Sequence, residues 1–168
     1  RYIMGLSWGS LPQEHIIEVN KILDRLKKYD EEIYKHCLRV SMLCRFLAEH
    51  AQLNAYDCLV AQFAGLLHDA GKMGVPIEII NKPAKLDQKE YKAVCEHPVL
   101  SAQLLEHLDH DDFFNDVKIA VLHHHERIDG KGYPYGLSGE EIPYISRLIL
   151  VVDTVDAMTY SRPYRKGL

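Results

Sequence analysis

From His15 onward the apolar residues of this chain return at three- and four-residue intervals, and almost nowhere do they alternate. Ile16, Val19, Ile22, Leu23 and Leu26 mark one amphipathic helix, and Ile33, Cys37, Val40, Leu43, Cys44 and Leu47 mark a second. A chain patterned in this way can bury its apolar surface only by packing helix on helix, so the expected fold class is all-α, a helical bundle. With 168 residues, 47% of them hydrophobic, it can build one core without a disulfide scaffold.

A third helix is expected from about Ala55 through Leu67, stopping at His68-Asp69-Ala70-Gly71-Lys72, where Gly71 and Gly74 mark a turn and Pro76 opens the next segment. Asp87 followed by Glu90 has capping-box spacing for a helix reaching about Glu96. A short helix from about Val99 to Leu108 should follow, and then one over 114–125 that ends in His123-His124-His125-Glu126. Gly130, Gly132, Pro134, Gly136 and Gly139 forbid regular structure after it. The last helix starts near Pro143 with Ile145, Leu148, Ile149, Val152, Val155 and Met158 inward, interrupted by Asp153 and Asp156. Residues 1–14 read as a linker or the remnant of an upstream connection, and 15–168 as one domain of a longer protein.

A net charge of −4 gives the surface as a whole no reason to seek duplex nucleic acid. No apolar run reaches the roughly 18 residues of a membrane span, and no signal-like leader opens the chain, so a cytoplasmic domain is expected. Cys37, Cys44, Cys58 and Cys95 lie in apolar segments without CxxC spacing and are expected to be reduced core residues.

The ten histidines are the anomaly, because several stand beside acidic residues or beside one another. Glu32 and His36 share a helix face at i,i+4 spacing, which by itself is better read as a solvated pair. His68-Asp69 ends an apolar helix, where bare titratable groups are costly; imidazole and carboxylate together suit iron, manganese or zinc, while the alternative is an aspartate orienting a core histidine. Lys72 just beyond fits a phosphate better than it fits packing. His97 before Pro98 gains weight only in company. Three adjacent imidazoles at 123–125 would repel when charged, a conflict that a metal relieves. Asp153 is a carboxylate in a core position, bound to metal or else to a partner such as Arg147. In the loop 129–139, Tyr133 and Tyr135 could stack a nucleobase, and Arg162, Arg165 and Lys166 could meet phosphates; the plainer reading is a tight turn and a solvated basic tail.

Taken together, His68-Asp69-Ala70-Gly71-Lys72 with Gly74-Val75-Pro76, His97-Pro98, His124-His125-Glu126 through Asp129-Gly130-Lys131-Gly132-Tyr133-Pro134, Asp153 with Asp156-Ala157-Met158, and Arg162-Pro163-Tyr164-Arg165 resemble the HD-GYP branch of the HD-domain phosphohydrolases. The resemblance covers most of residues 30–166 and implies a helical bundle whose C-terminal helices lie beyond Leu168. It implies a bacterial signalling enzyme that hydrolyses cyclic di-GMP to pGpG and sometimes to GMP, with two or three divalent ions, iron or manganese. The implied ligands are Glu32, His36, His68, Asp69, His97, His124, His125 and Asp153, with Asp69 bridging and Glu32 deciding between two ions and three. Asp69 and Lys72 are the implied catalytic pair, and Lys72, Tyr133, Arg162 and Arg165 the implied substrate contacts. Ser101, Ile77-Glu78 and Val152 depart from the family's usual residues without removing a ligand. An upstream regulatory domain and protein partners at the Gly-Tyr-Pro loop go with the resemblance. The competing readings are a slow or non-catalytic module that binds cyclic dinucleotide or protein, and an HD phosphohydrolase acting on another nucleotide.

Overall fold

The computed structural model describes residues 11–108 and 111–160, and no strand occurs among them. Eight α-helices follow in order: α1 (Gln13–Tyr29), α2 (Glu31–His50), α3 (Ala55–Leu67), α4 (Ile77–Ile80), α5 (Gln88–Cys95), α6 (His97–Gln103), α7 (Asp112–Leu122) and α8 (Tyr144–Thr159). Short 3-10 turns fill Ala70–Gly74, Glu106–Leu108 and Gly139–Glu141. The all-α expectation holds. The first ten residues of the expected linker lie outside the described residues, as do Arg162, Arg165 and Lys166.

Polar side chains set four of the eight helix starts. Asp30 accepts from the Ile33 amide at α2, Asn54 from the Asp57 amide at α3, and Asp111 from the Phe113 amide at α7. Asp87 and Glu90 form the expected reciprocal capping box on α5. α3 is apolar nearly all round and buried from Val60 to its end, which makes it the axis of the bundle. It packs on α2, α7 and α8, and the core runs through Val19, Leu23, Val40, Phe63, Leu66, Phe114, Val121 and Ile149. Phe63, Phe113 and Phe114 meet edge to face with centroids 5.2–6.5 Å apart.

Three expectations are corrected. The helix ahead of the triple histidine ends at Leu122, so His123, His124 and His125 lie in a turn, free to diverge instead of being held at helical spacing. The segment expected as one helix over Val99–Leu108 begins at His97 and breaks after Gln103 into a 3-10 turn. Val155 and Met158, expected inward, are 49% and 58% exposed, because the buried line on α8 steps from Leu148 and Ile149 through Val152 to Asp156 and leaves them on the flank.

Candidate metal centre

Helix termini build the site. A helix leaves its last carbonyls without amide partners, and three helices here resolve that in one way, each with a histidine ring folded back on the carbonyl three residues earlier. His68 Nδ1 stands 2.8 Å from the Gly65 carbonyl at the end of α3, His97 Nδ1 2.7 Å from Val94 after α5, and His124 Nδ1 2.6 Å from Val121 after α7. A carbonyl only accepts, so the proton of each neutral ring sits on Nδ1 and its Nε2 is left as a bare lone pair. In the fourth ring, His36 on α2, Nδ1 stands 2.6 Å from Oδ2 of Asp156, a carboxylate oxygen that only accepts.

All four Nε2 atoms then converge. His36 and His68 place theirs 3.3 Å apart, and so do His97 and His124. Two lone pairs facing each other in a dry interior repel, and all four rings are buried. The arrangement is satisfied by a cation among the nitrogens, and the donor set fits a transition metal, neutral imidazole with carboxylate. Three groups have ligand atoms within 4.8 Å of one another: His97 with His124 and His125, His36 with His68 and Asp153, and His68 with Asp69 and His124.

Asp69 lies between them. Its Oδ1 is 3.3 Å from Nε2 of His97, while its Oδ2 is 3.6 Å from Nε2 of both His36 and His68. Asp153, one face along α8, puts Oδ1 3.0 Å from Nε2 of His36 and 3.8 Å from that of His68, and does not pair with Arg147. Lys72 donates to Oδ2 of Asp69 at 2.6 Å.

The electrostatics lean towards a bound cation. Burial drives His97 and His125 down to about 3, and burial followed by repulsion from His68 and His97 drives His124 well below its ordinary value, so these rings are neutral at pH 7. Burial alone would raise Asp69, but Lys72, His68, His97 and His36 hold it well below the usual carboxylate range. Asp153 is likewise lowered by the nearby His36 and His68 rings, against the effect of burial. For His68 burial acts downward and Asp69 and Asp153 outweigh it, so the acidic pair draws positive charge into the cluster.

The surrounding contacts are close. A Cβ on Gly71 would strike the His97 carbonyl and the Ser101 amide, so only glycine lets the turn after His68-Asp69 lie against α6. Ser101 joins the two by accepting from the Gly71 amide and donating to the His68 carbonyl, both at 2.7 Å. Glu126 is buried and accepts from the Tyr135 and Leu137 amides at 2.7 and 3.0 Å, tying the glycine-rich loop to the end of α7. Gly132 lets that loop pass over the 125–127 backbone, which a Cβ there would strike.

Seven of the residues singled out in the sequence thus converge: His36, His68, Asp69, His97, His124, His125 and Asp153. Glu32 is set apart, its carboxylate 55% exposed and 3.1 Å from Lys35. His123 turns away towards Glu126 and the Tyr135 ring. Tyr133 is partly buried and stacked on His125 with centroids 4.9 Å apart, while Tyr135 is the exposed tyrosine of the loop. Asp156 and Arg39 were given no role from sequence; a second carboxylate in the apolar stretch of α8 was the available signal.

An all-α bundle with a buried histidine–aspartate cluster at its helix ends defines the class of helical metal-binding domains in which an adjacent His-Asp pair anchors the site. The chain belongs to the HD domain family, whose sequence model matches residues 13–168. It is 48% identical over 147 residues to a Pseudomonas aeruginosa protein named a cyclic di-GMP phosphodiesterase, covering 86% of this chain and 34% of that one. A Thermotoga maritima cyclic di-GMP phosphodiesterase is 36% identical over 154 residues, 91% of this chain and 42% of that one. The 3'3'-cGAMP-specific phosphodiesterase 3 of Vibrio cholerae is 36% identical over 148 residues, 88% of this chain and 31% of that one. The chain therefore spans between about a third and two fifths of the length of these relatives. Among the described residues no helix is long and apolar enough to cross a membrane.

Proposed function

We propose that this domain is a metal-dependent phosphodiesterase that hydrolyses a cyclic dinucleotide, cyclic di-GMP before 3'3'-cGAMP, to the linear form pGpG and in part to GMP. The observation that carries the reading is the convergence of four Nε2 atoms on Asp69 and Asp153, a donor set with a strong call for cations. The name of the 48% identical relative supports cyclic di-GMP as the preferred substrate. A cytoplasmic setting and a regulatory segment elsewhere in the protein go with it, as does the loop 129–139 as a protein contact.

The two oxygens of Asp69 face different histidines, which supports it as the bridge between two ion positions. His36, His68 and Asp153 would complete one position and His97, His124 and His125 the other. Glu32, one turn before His36, is the residue a third ion would draw upon. Iron or manganese suits this mixture of imidazole and carboxylate. Such ions, when bound, acidify coordinated water and neutralise charge on a phosphoryl group.

The chain's own residues do the rest. Lys72, tethered at Asp69, is placed to hold a non-bridging phosphoryl oxygen at the mouth of the cluster. Tyr133 is assigned to the base side of the pocket and also fixes the His125 ring by stacking on it. Arg162 and Arg165 would meet the distal phosphate.

The test is product analysis after incubating protein loaded anaerobically with Fe(II) or Mn(II) with each cyclic dinucleotide. Linear product from cyclic di-GMP, abolished in a His68→Ala/Asp69→Ala variant, is expected. Turnover that survives in that variant, or metal-loaded protein that turns over neither substrate, overturns the reading; binding without product would make it a cyclic-dinucleotide-binding module.

A further inference from the structure

Three of the four converging histidines take their Nδ1 acceptor from a helix terminus, where carbonyls have no amide four residues on to engage them. His36 cannot, because it lies inside α2, where the carbonyls one turn back are already engaged by amides. Its acceptor comes instead from another helix. Oδ2 of Asp156 on α8 lies 2.6 Å from Nδ1 of His36, across 120 residues of sequence.

The Asp156 carboxylate is itself fixed. Arg39, one turn after His36 on α2, donates Nε to Oδ1 at 2.8 Å and a terminal nitrogen to Oδ2 at 2.9 Å. The guanidinium lies 3.8 Å over the Tyr160 ring, which closes its outer face. Asp156 is buried, and the hydrogen bonds from Arg39 and His36 outweigh the effect of burial and keep it ionised. Every acceptor direction in use is thus answered by a donor that has no acceptor to offer in return.

We propose that Asp156, clamped by Arg39, is a positioning residue that holds the His36 ring through Nδ1 and so keeps its Nε2 turned to the cation site, where Oδ1 of Asp153 also faces it at 3.0 Å. The inference rests on the reading of His36 as a metal ligand. Arg39 donates to both carboxylate oxygens, and the oxygen it shares with His36 can be kept by an Asp156→Asn side chain, whereas Asp156→Leu, of similar size, leaves Nδ1 of His36 without an acceptor.

Long-range 15N–1H spectra of metal-free, 15N-histidine-labelled protein read the hydrogen bond at Nδ1 of His36, and equilibrium dialysis against Mn(II) with metal analysis reads affinity. In Asp156→Leu the Nδ1 resonance is expected to leave its hydrogen-bonded position and Mn(II) affinity to fall about 10- to 100-fold, whereas Asp156→Asn should keep most of both. An Nδ1 resonance or Mn(II) affinity unchanged in Asp156→Leu, or affinity lost equally in the two variants, overturns the inference. Wild-type protein that takes up no Mn(II) overturns the proposed function instead, and the Nδ1 resonance, read without metal, still decides this one.

Discussion

Nε2 of His97 lies 3.3 Å from Nε2 of His124, although each ring keeps its proton on the far nitrogen, against a backbone carbonyl. Neither nitrogen can donate to the other, so the contact is repulsive until something positive lies between them. The fold holds this repulsion in place by ending α5 and α7 on those same rings. Stability and ligation are therefore linked at one pair of residues.

Metal should stabilise the protein by mass action. With free Mn(II) at a hundred times its dissociation constant, the gain is about 2.7 kcal/mol for one site. Thermal unfolding with and without a chelator measures it. His97→Gln should abolish much of the metal-induced rise in Tm while leaving the chelated protein close to wild type; a full rise in that variant would contradict the pairing.

Acid should destabilise the metal-free protein well before its carboxylates titrate. His97 and His125 are held at about 3 against an ordinary value of 6.5, so the folded state binds fewer protons than the unfolded state between those limits. Their contribution is complete above about pH 6.5 and is lost as pH falls towards 3. His124 acts in the same direction, and His68, which Asp69 and Asp153 raise against burial, opposes the other three. The urea midpoint of chelated protein should fall steadily from pH 7 to pH 4.5, with a shallower slope in His125→Gln. A flat profile would remove the electrostatic account.

Gly71→Ala should be costly out of proportion to one methyl group. The new Cβ meets backbone of α6 on two sides, at the His97 carbonyl and the Ser101 amide, and neither can yield without moving His97. A loss of about 3 kcal/mol is expected, together with weaker Mn(II) binding in dialysis. Wild-type urea stability would show that α6 can shift freely.

Glu126→Gln should loosen the loop and spare the bundle. The carboxylate serves the Tyr135 and Leu137 amides with separate oxygens, and a carboxamide has only one oxygen to offer. Facing an N–H with an amide nitrogen costs about 1–3 kcal/mol. Hydrogen exchange across 130–137 should quicken while α3 keeps its protection; unchanged exchange in the loop would show that another contact holds it.

Much of this was legible in the chain. The helical recurrence of apolar residues fixed the all-α class, and the α3 limits and the α5 capping box follow from local rules that need no partner. His68-Asp69, the 123–125 triple and Asp153 stood out because titratable groups ended or interrupted apolar helices, whereas His97 and the choice of His124-His125 came from the resemblance. What sequence could not supply was direction. That the 123–125 triple lies past the helix end and that Val155 and Met158 sit on a flank depend on how neighbouring helices pack. The Asp156–His36 contact joins positions 120 residues apart, and Ser101, a mere departure from pattern in sequence, became a hydrogen-bond bridge. Residue type and periodicity are local properties of the chain, whereas a tautomer or a shared lone-pair centre is set by atoms brought from several helices, and those distances exist only once the bundle has closed.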